Sequence, residues 1–325
     1  MDWEKARKLV NDARQIVVLT HISPDGDAFG SMLGVVNAMR NLGKSAVGAV
    51  DGGLSAAFRF LPGAGLVRAD LDGVSADLVI VTDCSDERRI GAVGKTARAL
   101  GVPIINLDHH RTNTLFGDAN LVDAETVASA EGVLDWLDNL DVALTPEVAQ
   151  CLLCGLVTDT MCFRTNNVTA VTLGKAQRLM AAGGDLSEIV QRTVSRIPTA
   201  VIRLWAQVMP TVRIEDRVIW AKISRAAFRE AGAEDGEDGG LVSLLLQAED
   251  ARIACVLREE DSNIDLSLRA VPGFDVASVA VRLGGGGHLL AAGATLPGPL
   301  DEAEARVIPL LKEAAQAVSP AAADG

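Results

Sequence analysis

Residues 16–31 have the sequence IVVLTHISPDGDAFGS, and this stretch decides the fold. Its uninterrupted apolar run, Ile16–Thr20, is typical of a strand that is buried on both faces of a sheet. A polar loop follows at once, and a helix is predicted over Ser31–Leu42, ended by Gly43. A buried strand that leads through a short loop into a helix indicates an α/β fold.

The same alternation continues through the first half of the chain. Further strands are predicted at Ala46–Val50, Leu78–Thr82 and Pro103–Leu107, with a helix over Gly91–Leu100. Apolar strands joined by helices form a parallel sheet that is covered on both faces. Because ligands of such sheets gather at the carboxyl ends of the strands, we expect the functional site there.

Beyond Asn120 the pattern becomes helical, and strands return in the last third. The predicted helices are Thr126–Leu140, Pro146–Asp159, Val168–Ala182, Leu186–Arg192 and Pro198–Met209. The later strands are Val212–Ile214, Val218–Ile223, Ala251–Leu257 and Ile264–Leu268, and the later helices are Leu241–Gln247 and Asp275–Arg282. An acidic, glycine-rich loop over residues 232–240 is predicted to be flexible, and the tail Ser319–Gly325 to be disordered.

These elements predict an α/β protein of two domains with the active site in the cleft between them. The first domain, residues 1–185, has a parallel sheet and a helical extension. A helical linker covers residues 186–210, and a smaller α/β domain covers residues 211–325.

The composition limits the partners that this protein can have. The net charge is −13, which argues against broad electrostatic capture of long nucleic acid. Aromatic residues make up 3% of the chain and tyrosine is absent, so a binding surface built on many stacked aromatics is excluded. An anionic substrate must instead be met by bound metals and a few local arginines.

The cysteines and the chain start indicate a cytoplasmic protein. Five cysteines without a framework are typical of reduced thiols. Cys151 and Cys154 form a CxxC pattern within an apolar helix, where core packing is favoured over a redox or zinc role. The segment Met1–Lys5 does not have the character of a signal peptide, and no apolar run reaches transmembrane length, so we expect no membrane association.

Histidines and aspartates recur where predicted strands or helices end. They are His21, Asp25 and Asp27 after the first strand, Asp83 after the third, Asp108, His109 and His110 after the fourth, and Asp159 at the end of an apolar helix. Each piece alone has a plain structural explanation, because an aspartate after a strand is often a helix cap and a histidine pair can be a hydrogen-bonded unit. Together they supply enough ligands for two divalent ions that share a carboxylate. Such ions, about 3.5–4 Å apart, activate a bridging water and clamp a phosphoryl group.

A second motif lies near the end of the chain, where His288 follows four glycines from Gly284. Consecutive glycines let backbone N–H groups approach an anion, although a glycine run alone is most often a flexible turn. Here it follows a predicted helix, and we expect it beside the strand Ile264–Arg269, which ends in a basic residue. The combination predicts a nucleotide-holding face.

In this order, the motifs resemble those of the DHH phosphoesterase superfamily. The pattern His-x-x-Pro-Asp-x-Asp, the aspartate after a strand, Asp-His-His, the later aspartate and the Gly-Gly-Gly-His of a DHH-associated domain span nearly the whole chain. The two-domain form is similar to the nanoRNase and pAp-phosphatase branch, which includes cyclic-di-AMP phosphodiesterases. The resemblance implies hydrolysis of short nucleotides by a metal-bridging hydroxide: oligoribonucleotides of about two to five residues, 3′-phosphoadenosine 5′-phosphate, or cyclic and linear dinucleotides.

The resemblance also implies roles for individual residues. It implies two manganese ions, one held by His21, Asp25 and Asp83 and the other by Asp27, Asp83, His109 and Asp159. His110 would face the scissile phosphate, and Asp108 would orient the histidine pair. Substrate contacts would come from Arg111, Arg164, Arg269, Gly285, Gly286, Gly287 and His288. Ala270 departs from the serine that this branch often has after the arginine, which affects the details of base or ribose recognition.

Two other functions remain open from the sequence. An inorganic pyrophosphatase or polyphosphatase belongs to the same superfamily, but the glycine-histidine motif favours a nucleotide. A nucleotide-binding regulator without turnover would have degenerate metal motifs, and these are intact. The expected partner is a short nucleotide or dinucleotide, and the apolar faces of the helices after residue 120 suggest a homodimer.

Overall fold

A computed structural model describes residues 1–317 of the chain. The tail Ser319–Gly325, predicted to be disordered, lies outside the described residues. The chain divides into two compact units, Met1–Arg196 and Ile197–Gly325. The boundary between the units falls inside the stretch that was predicted as a helical linker, residues 186–210.

The first unit is built on a parallel sheet, as predicted. Its strands are β1 (Gln15–Leu19), β2 (Ser45–Ala49), β3 (Val67–Arg68), β4 (Leu78–Thr82), β5 (Ile104–Asp108) and β6 (Ala119–Val122). Within residues 1–317 these six strands have the order β3-β2-β1-β4-β5-β6, and every pair is parallel. The chain moves from β1 to one side and later returns to β4 on the other. This topological switch point is where open α/β sheets bind ligands.

Helices surround this sheet. They are α1 (Trp3–Asp12), α2 (Gly26–Asn41), α3 (Gly91–Ala99), α4 (Ser129–Asn139), α5 (Pro146–Asp159), α6 (Ala170–Ala181) and α7 (Leu186–Arg192). The predicted start of α2 at Ser31 is wrong, because the Asp25 side chain caps the helix by accepting hydrogen bonds from the N–H groups of Asp27 and Ala28. Asp27 therefore lies in the first turn of α2 and not in the loop.

Glycines let α2 and α5 pack closely. A Cβ at Gly30 would lie 2.5 Å from the carbonyl oxygen of Cys151, and a Cβ at Gly34 would lie 2.5 Å from Cδ2 of Leu152. A Cβ at Gly26 would collide with the Thr158 side chain, so this glycine provides packing space. The close approach brings the first turn of α2, with Asp27, to the last turn of α5, which ends at Asp159.

The second unit is a smaller mixed α/β domain, as predicted. Its elements are α8 (Thr199–Val208), β7 (Arg213–Glu215), β8 (Val218–Ile223), α9 (Arg225–Ala231), α10 (Leu241–Leu245), β9 (Ile253–Glu259), β10 (Asn263–Ala270), α11 (Ala277–Arg282), β11 (Gly286–His288), β12 (Ala291–Pro297) and α12 (Leu300–Gln316). In the described part of the chain its sheet has the order β11-β12-β10-β9-β8-β7, with only β8 and β9 parallel to each other.

One expectation for the second unit needs correction. The glycine run does not lie beside β10: Gly286 and Gly287 belong to the edge strand β11, and β12 separates this strand from β10. The acidic loop is anchored at one point, because the buried carboxylate of Asp238 pairs with Arg258 at 2.7 Å and accepts the N–H of Gly240. Asp238 thereby ties the loop to β9 and to the start of α10.

The CxxC cysteines lie in the hydrophobic core of the first unit, as predicted. Cys151 and Cys154 are both fully buried. Burial raises the pKa of the Cys154 thiol to about 12, so it remains protonated and unreactive. Among the helices described, none combines the length and the apolar character needed to cross a membrane.

Candidate metal centre

The carboxyl ends of three neighbouring strands carry the first set of candidate ligands. His21 follows β1, Asp83 follows β4, and His109 follows β5. Asp83 has a φ of +53°, a left-handed conformation that is uncommon outside glycine but more frequent for aspartate. Its N–H donates to the carbonyl of Leu107 at 2.9 Å. The chain thus turns sharply at Asp83, with the carboxylate between the two histidine motifs.

The two histidines have the orientation of metal ligands. Nδ1 of His21 lies 2.7 Å from the carbonyl of Ile22, and because a carbonyl only accepts, Nδ1 carries the proton. Nδ1 of His109 similarly lies 3.4 Å from the carbonyl of Thr126. In both rings Nε2 faces carboxylates. Metal-bound histidines are typically oriented by such a hydrogen bond from the other ring nitrogen.

The candidate ligand atoms form groups that share residues. His21, Asp25 and Asp83 form one group, and Asp27, His109 and Asp159 form another, with the ligand atoms of each within 4.8 Å of one another. Asp83 also groups with His109 and His110, so this carboxylate adjoins both sets. The structure therefore brings together all six residues that the sequence analysis assigned to metals.

The distances within these groups fit a cation better than direct hydrogen bonds. Nε2 of His21 lies 3.5 Å from Oδ2 of Asp83, and Nε2 of His109 lies 3.7 Å from Oδ1 of Asp83 and 3.6 Å from Oδ2 of Asp159. These separations are too long for good hydrogen bonds. Two ligands that are each about 2.1 Å from one octahedral ion lie about 3 Å apart, so a small inward shift would complete the coordination. The mixture of imidazole and carboxylate suits a divalent transition metal.

Two carboxylates of this centre, Asp27 and Asp159, are destabilised in their ionised form. Asp27 is 1% exposed, and burial together with Asp83 and Asp159 raises its pKa well above the usual range. Burial likewise raises the pKa of Asp159 to about 6, with Asp83 adding to the rise and His109 opposing it. Ionised carboxylates crowded in this way repel one another, and a divalent cation would remove the repulsion.

His110 is held by a buried hydrogen-bond network behind the centre. Its Nδ1 donates to Oδ1 of Asp108 at 2.7 Å, and the Asp108 side chain is fully buried. Asn113 donates from Nδ2 to Oδ2 of Asp108 at 2.6 Å. The Asp108 hydrogen bond raises the pKa of His110, against the effect of burial. Since Nδ1 is engaged, Nε2 is the nitrogen of His110 that can act on another molecule.

Several residues that support the ligands have no signal in the sequence. Ser129 and Ala130 begin α4 and donate backbone N–H groups to the Asp27 carboxylate at 2.6 and 2.9 Å. Gly155 provides the space, because a Cβ there would lie 2.5 Å from Oδ1 of Asp27. The predicted helix over Thr126–Leu140 covers this segment, but its true start at Ser129 depends on contacts with α2 and β4 that no local pattern shows.

The predicted substrate arginines of the first unit have local partners. Arg111 pairs with Glu125 at 2.9 Å, and both side chains are largely exposed. Nε of Arg164 donates to the carbonyl of Met161 at 2.8 Å. Neither contact is strong enough to prevent these side chains from turning to a phosphate, since an exposed ion pair contributes at most about 1 kcal/mol.

In the second unit, Arg269 and His288 lie on one rung of the sheet. Arg269 of β10 pairs with Ala291 of β12, which pairs with His288 of β11. Paired residues in antiparallel strands point to the same face. The two basic side chains therefore flank one alanine, with their Cα atoms roughly 10 Å apart.

The neighbouring rung on this face consists of small residues. Ser267, Gly293 and Gly286 are paired across the same three strands. Gly285 and Gly287 are needed for strand packing, because a Cβ at either would meet the backbone of β12. At Gly286 a Cβ would meet nothing within 4 Å. The result is a strip of small residues, open at Gly286, with one arginine and one histidine at its end, which we call the nucleotide face (Ser267, Arg269, Gly286, His288, Ala291 and Gly293).

Comparison with known proteins places both units in one family. Residues 15–156 match the model of the DHH family, N-terminal domain, and residues 215–319 match the DHHA1 domain. The bifunctional oligoribonuclease and PAP phosphatase NrnA of Thermus thermophilus is 35% identical to this chain over 96% of the chain and 94% of its own length. The protein of the same name from Bacillus subtilis is 26% identical over 86% of this chain and 89% of its own.

A solved structure has the same fold. An exopolyphosphatase-related protein from Bacteroides fragilis superposes with a TM-score of 0.84 at 24% identity, covering 96% of this chain and 95% of that chain. At this identity the likeness concerns the fold and not the substrate.

Proposed function

This chain belongs to the DHH family and is a hydrolase of phosphoester bonds, and we propose that it acts on short nucleotides with two manganese ions. The substrates would be oligoribonucleotides of a few residues, 3′-phosphoadenosine 5′-phosphate, or dinucleotides. The observation that carries this proposal is the pair of ligand groups that adjoin at Asp83. Two relatives named as oligoribonuclease and PAP phosphatase support the substrate class.

The residues of the metal centre fit two divalent ions. His21, Asp25 and Asp83 would hold one, and Asp27, Asp83, His109 and Asp159 the other. When bound, such ions supply a water that is nucleophilic at neutral pH and positive charge for the phosphoryl oxygens. Imidazole with several carboxylates is a donor set that manganese accepts readily, which supports manganese over calcium.

The residues around the ions would complete the reaction. In hydrolysis a P–O bond breaks and the leaving oxygen takes up a proton. We propose that His110 interacts with this phosphate through Nε2, since Asp108 engages its Nδ1 at 2.7 Å. Asp108 acts on the reaction only through His110, as a positioning residue.

The nucleotide face would hold the rest of the substrate. Arg269 would offer positive charge and His288 a hydrogen bond for one phosphate, and the strip at Gly286 and Gly293, which has no side chains, leaves room for a sugar or base. Arg111 and Arg164 would contribute further contacts. Because the chain carries a net charge of −13, a long strand would gain little from additional phosphate contacts.

A substrate panel tests this function. Purified protein with manganese would be given 3′-phosphoadenosine 5′-phosphate, a linear diribonucleotide, a cyclic dinucleotide, RNA of increasing length and pyrophosphate. We expect the rate to fall as RNA grows from about two to well beyond ten nucleotides, with a shallow salt dependence because few phosphates are contacted. Faster hydrolysis of pyrophosphate than of every nucleotide would favour an inorganic pyrophosphatase instead.

We further propose a cytoplasmic homodimer. α6 carries exposed apolar side chains at Leu173 and Met180, which lie about two turns apart on the same side of the helix. Such a group is a suitable contact for a second copy of the chain. Light scattering of the wild type and of Leu173→Glu would test this, and a monomeric wild type would contradict it.

A further inference from the structure

Ser129, the first residue of α4, hydrogen-bonds two candidate metal ligands that are distant in sequence, Asp27 in α2 and Asp83 after β4. Its side chain is 0% exposed. Its Oγ donates to Oδ1 of Asp83 at 2.9 Å, while its backbone N–H donates to Oδ2 of Asp27 at 2.6 Å. We propose that Ser129 is a positioning residue that fixes how the Asp83 carboxylate is shared between two cations, an inference that rests on the proposed dinuclear function.

The two oxygens of Asp83 face different ligand groups. Oδ2 lies 3.5 Å from Nε2 of His21, on the side of Asp25. Oδ1 lies 3.7 Å from Nε2 of His109, on the side of Asp159. One oxygen is therefore directed to each proposed ion. This division depends on the rotation of the carboxylate about its own axis, which the backbone of Asp83 does not determine.

The Ser129 hydroxyl restricts that rotation. A carboxylate oxygen has two lone pairs, and at Oδ1 one of them accepts the Ser129 hydrogen bond. One lone pair of Oδ1 is then left for a cation, while Oδ2 remains directed at the His21 group. If the carboxylate turned so that both oxygens bound one ion, the buried hydroxyl would lose its acceptor, at a cost of about 1–3 kcal/mol.

The hydroxyl itself is held in place by the main chain. The N–H of Ser129 is engaged by Asp27, and the next N–H, that of Ala130, donates to Oδ1 of Asp27 at 2.9 Å. The first turn of α4 is thus attached to α2, and the hydroxyl is presented to Asp83 from a fixed backbone. Replacement by alanine would remove only the hydroxyl, since both N–H bonds belong to the backbone.

Ser31 provides a matched control. Its side chain is also 0% exposed, and its Oγ donates to a candidate ligand, Oδ1 of Asp27, at 3.1 Å. Asp27 belongs to one ligand group, whereas Asp83 adjoins both. Ser31→Ala removes an equally buried hydroxyl from Asp27, a carboxylate that belongs to one ligand group. An effect seen in both serine variants would come from the loss of any hydrogen bond to a ligand. An effect seen in Ser129→Ala alone would come from the carboxylate shared by the two ions.

The experiment is a manganese titration of metal-free full-length protein, followed by calorimetry and by electron paramagnetic resonance. The wild type is expected to bind two ions whose spectrum shows magnetic coupling through the shared carboxylate. Ser129→Ala should bind one of the two ions at least about tenfold more weakly than the wild type, in the range found for residues that orient metal ligands. The magnetic coupling between the ions should be lost or changed. Ser31→Ala should keep the coupled spectrum.

Two results would overturn the proposal: unchanged binding and coupling in Ser129→Ala, or the same change of coupling in Ser31→Ala. If Ser129→Ala does not fold, Ser129→Thr decides, because threonine keeps the hydroxyl. A coupled pair in Ser129→Thr supports the proposal, and its loss contradicts it. A wild type that binds fewer than two ions contradicts the proposed dinuclear function itself. Failure of that function can therefore be distinguished from failure of the role proposed for Ser129.

Discussion

The metal centre of the first unit and the nucleotide face of the second are built in opposite ways. The centre collects side chains from loops and helix ends between His21 and Asp159, of which His21, Asp27 and Asp83 are buried, and serines and glycines support its carboxylates. The face is formed by three adjacent strands, and its small residues are partly or fully exposed. A buried, interlocked site tolerates few changes, whereas an open strip can be altered locally. Substitutions should therefore affect chemistry and folding in the first unit, and binding alone in the second.

The largest effect is expected from the shared carboxylate. Asp83→Ala removes the ligand that adjoins both groups and exposes the mutual repulsion of two cations, so it should lose bound metal and lower turnover on the order of 1000-fold. His110→Ala should lower turnover steeply but retain metal, because His110 Nδ1 is engaged by Asp108. Elemental analysis beside kinetics separates the two variants. Equal metal content and equal activity in both would contradict this division of roles.

A packing change should have the next largest effect. Gly155→Ala places a methyl group 2.5 Å from Oδ1 of Asp27 and 2.7 Å from Cβ of Ala130, and should lower the free energy of unfolding by about 1–3 kcal/mol. The control is Gly174→Ala in α6, where a Cβ meets nothing within 4 Å. That substitution should stabilise the protein by up to about 1 kcal/mol. Urea unfolding measures both, and equal effects would show that the contact with Asp27 is unimportant.

A smaller effect is expected on the nucleotide face. His288→Ala should raise KM for a dinucleotide about tenfold, by loss of one charged hydrogen bond. Hydrolysis of a small generic phosphodiester should stay nearly unchanged. Gly286→Leu should act similarly, because it fills the open strip where no atom lies within 4 Å of a Cβ. Equal impairment of both substrates would mean that this face does not select the nucleotide.

The smallest effect concerns pH and stability without metal. Burial raises the pKa of Asp159 from 3.8 to about 6 in the folded protein, so the folded state binds a proton that the unfolded chain has lost. The contribution of this residue to the free energy of unfolding therefore falls as the pH rises from about 4 to about 6. Asp159→Asn imitates the protonated form and should gain stability relative to the chelator-treated wild type between pH of about 4 and about 6.

The test of this last prediction is urea unfolding of both proteins across that range. A stability difference that does not change with pH would show that Asp159 is not strained by its neighbours. Added manganese should make the wild type more stable than Asp159→Asn, because the wild type has the Asp159 carboxylate to bind the ion and the variant does not.

Much of the first unit could be predicted because its signals are local. The strand Leu78–Thr82 and the helix Pro146–Asp159 were predicted with the bounds that the structure has, since continuous apolar runs end there at polar residues. The strands β3 and β6 were missed, because two and four residues carry too little pattern. Their pairing comes from the neighbouring strands and not from their own composition.

The residues that hold the candidate metal ligands in place also could not be predicted, because they act through contacts between distant parts of the chain. The ligands are chemically distinctive, but Ser129 and Gly155 matter through contacts with Asp27 and Asp83, which are distant in sequence. The local sequence around a serine at the start of a helix does not indicate whether its hydroxyl makes a tertiary hydrogen bond. The glycine run was similarly misplaced beside β10, because strand order is a property of the whole sheet.

The most direct test of the account is the metal requirement for hydrolysis of a diribonucleotide. Protein treated with a strong chelator should be inactive, and manganese should restore activity better than magnesium or calcium, with full activity at two ions per chain. Full activity in the chelator, together with elemental analysis that finds no bound transition metal, would contradict the claim that this chain is a dinuclear phosphoesterase.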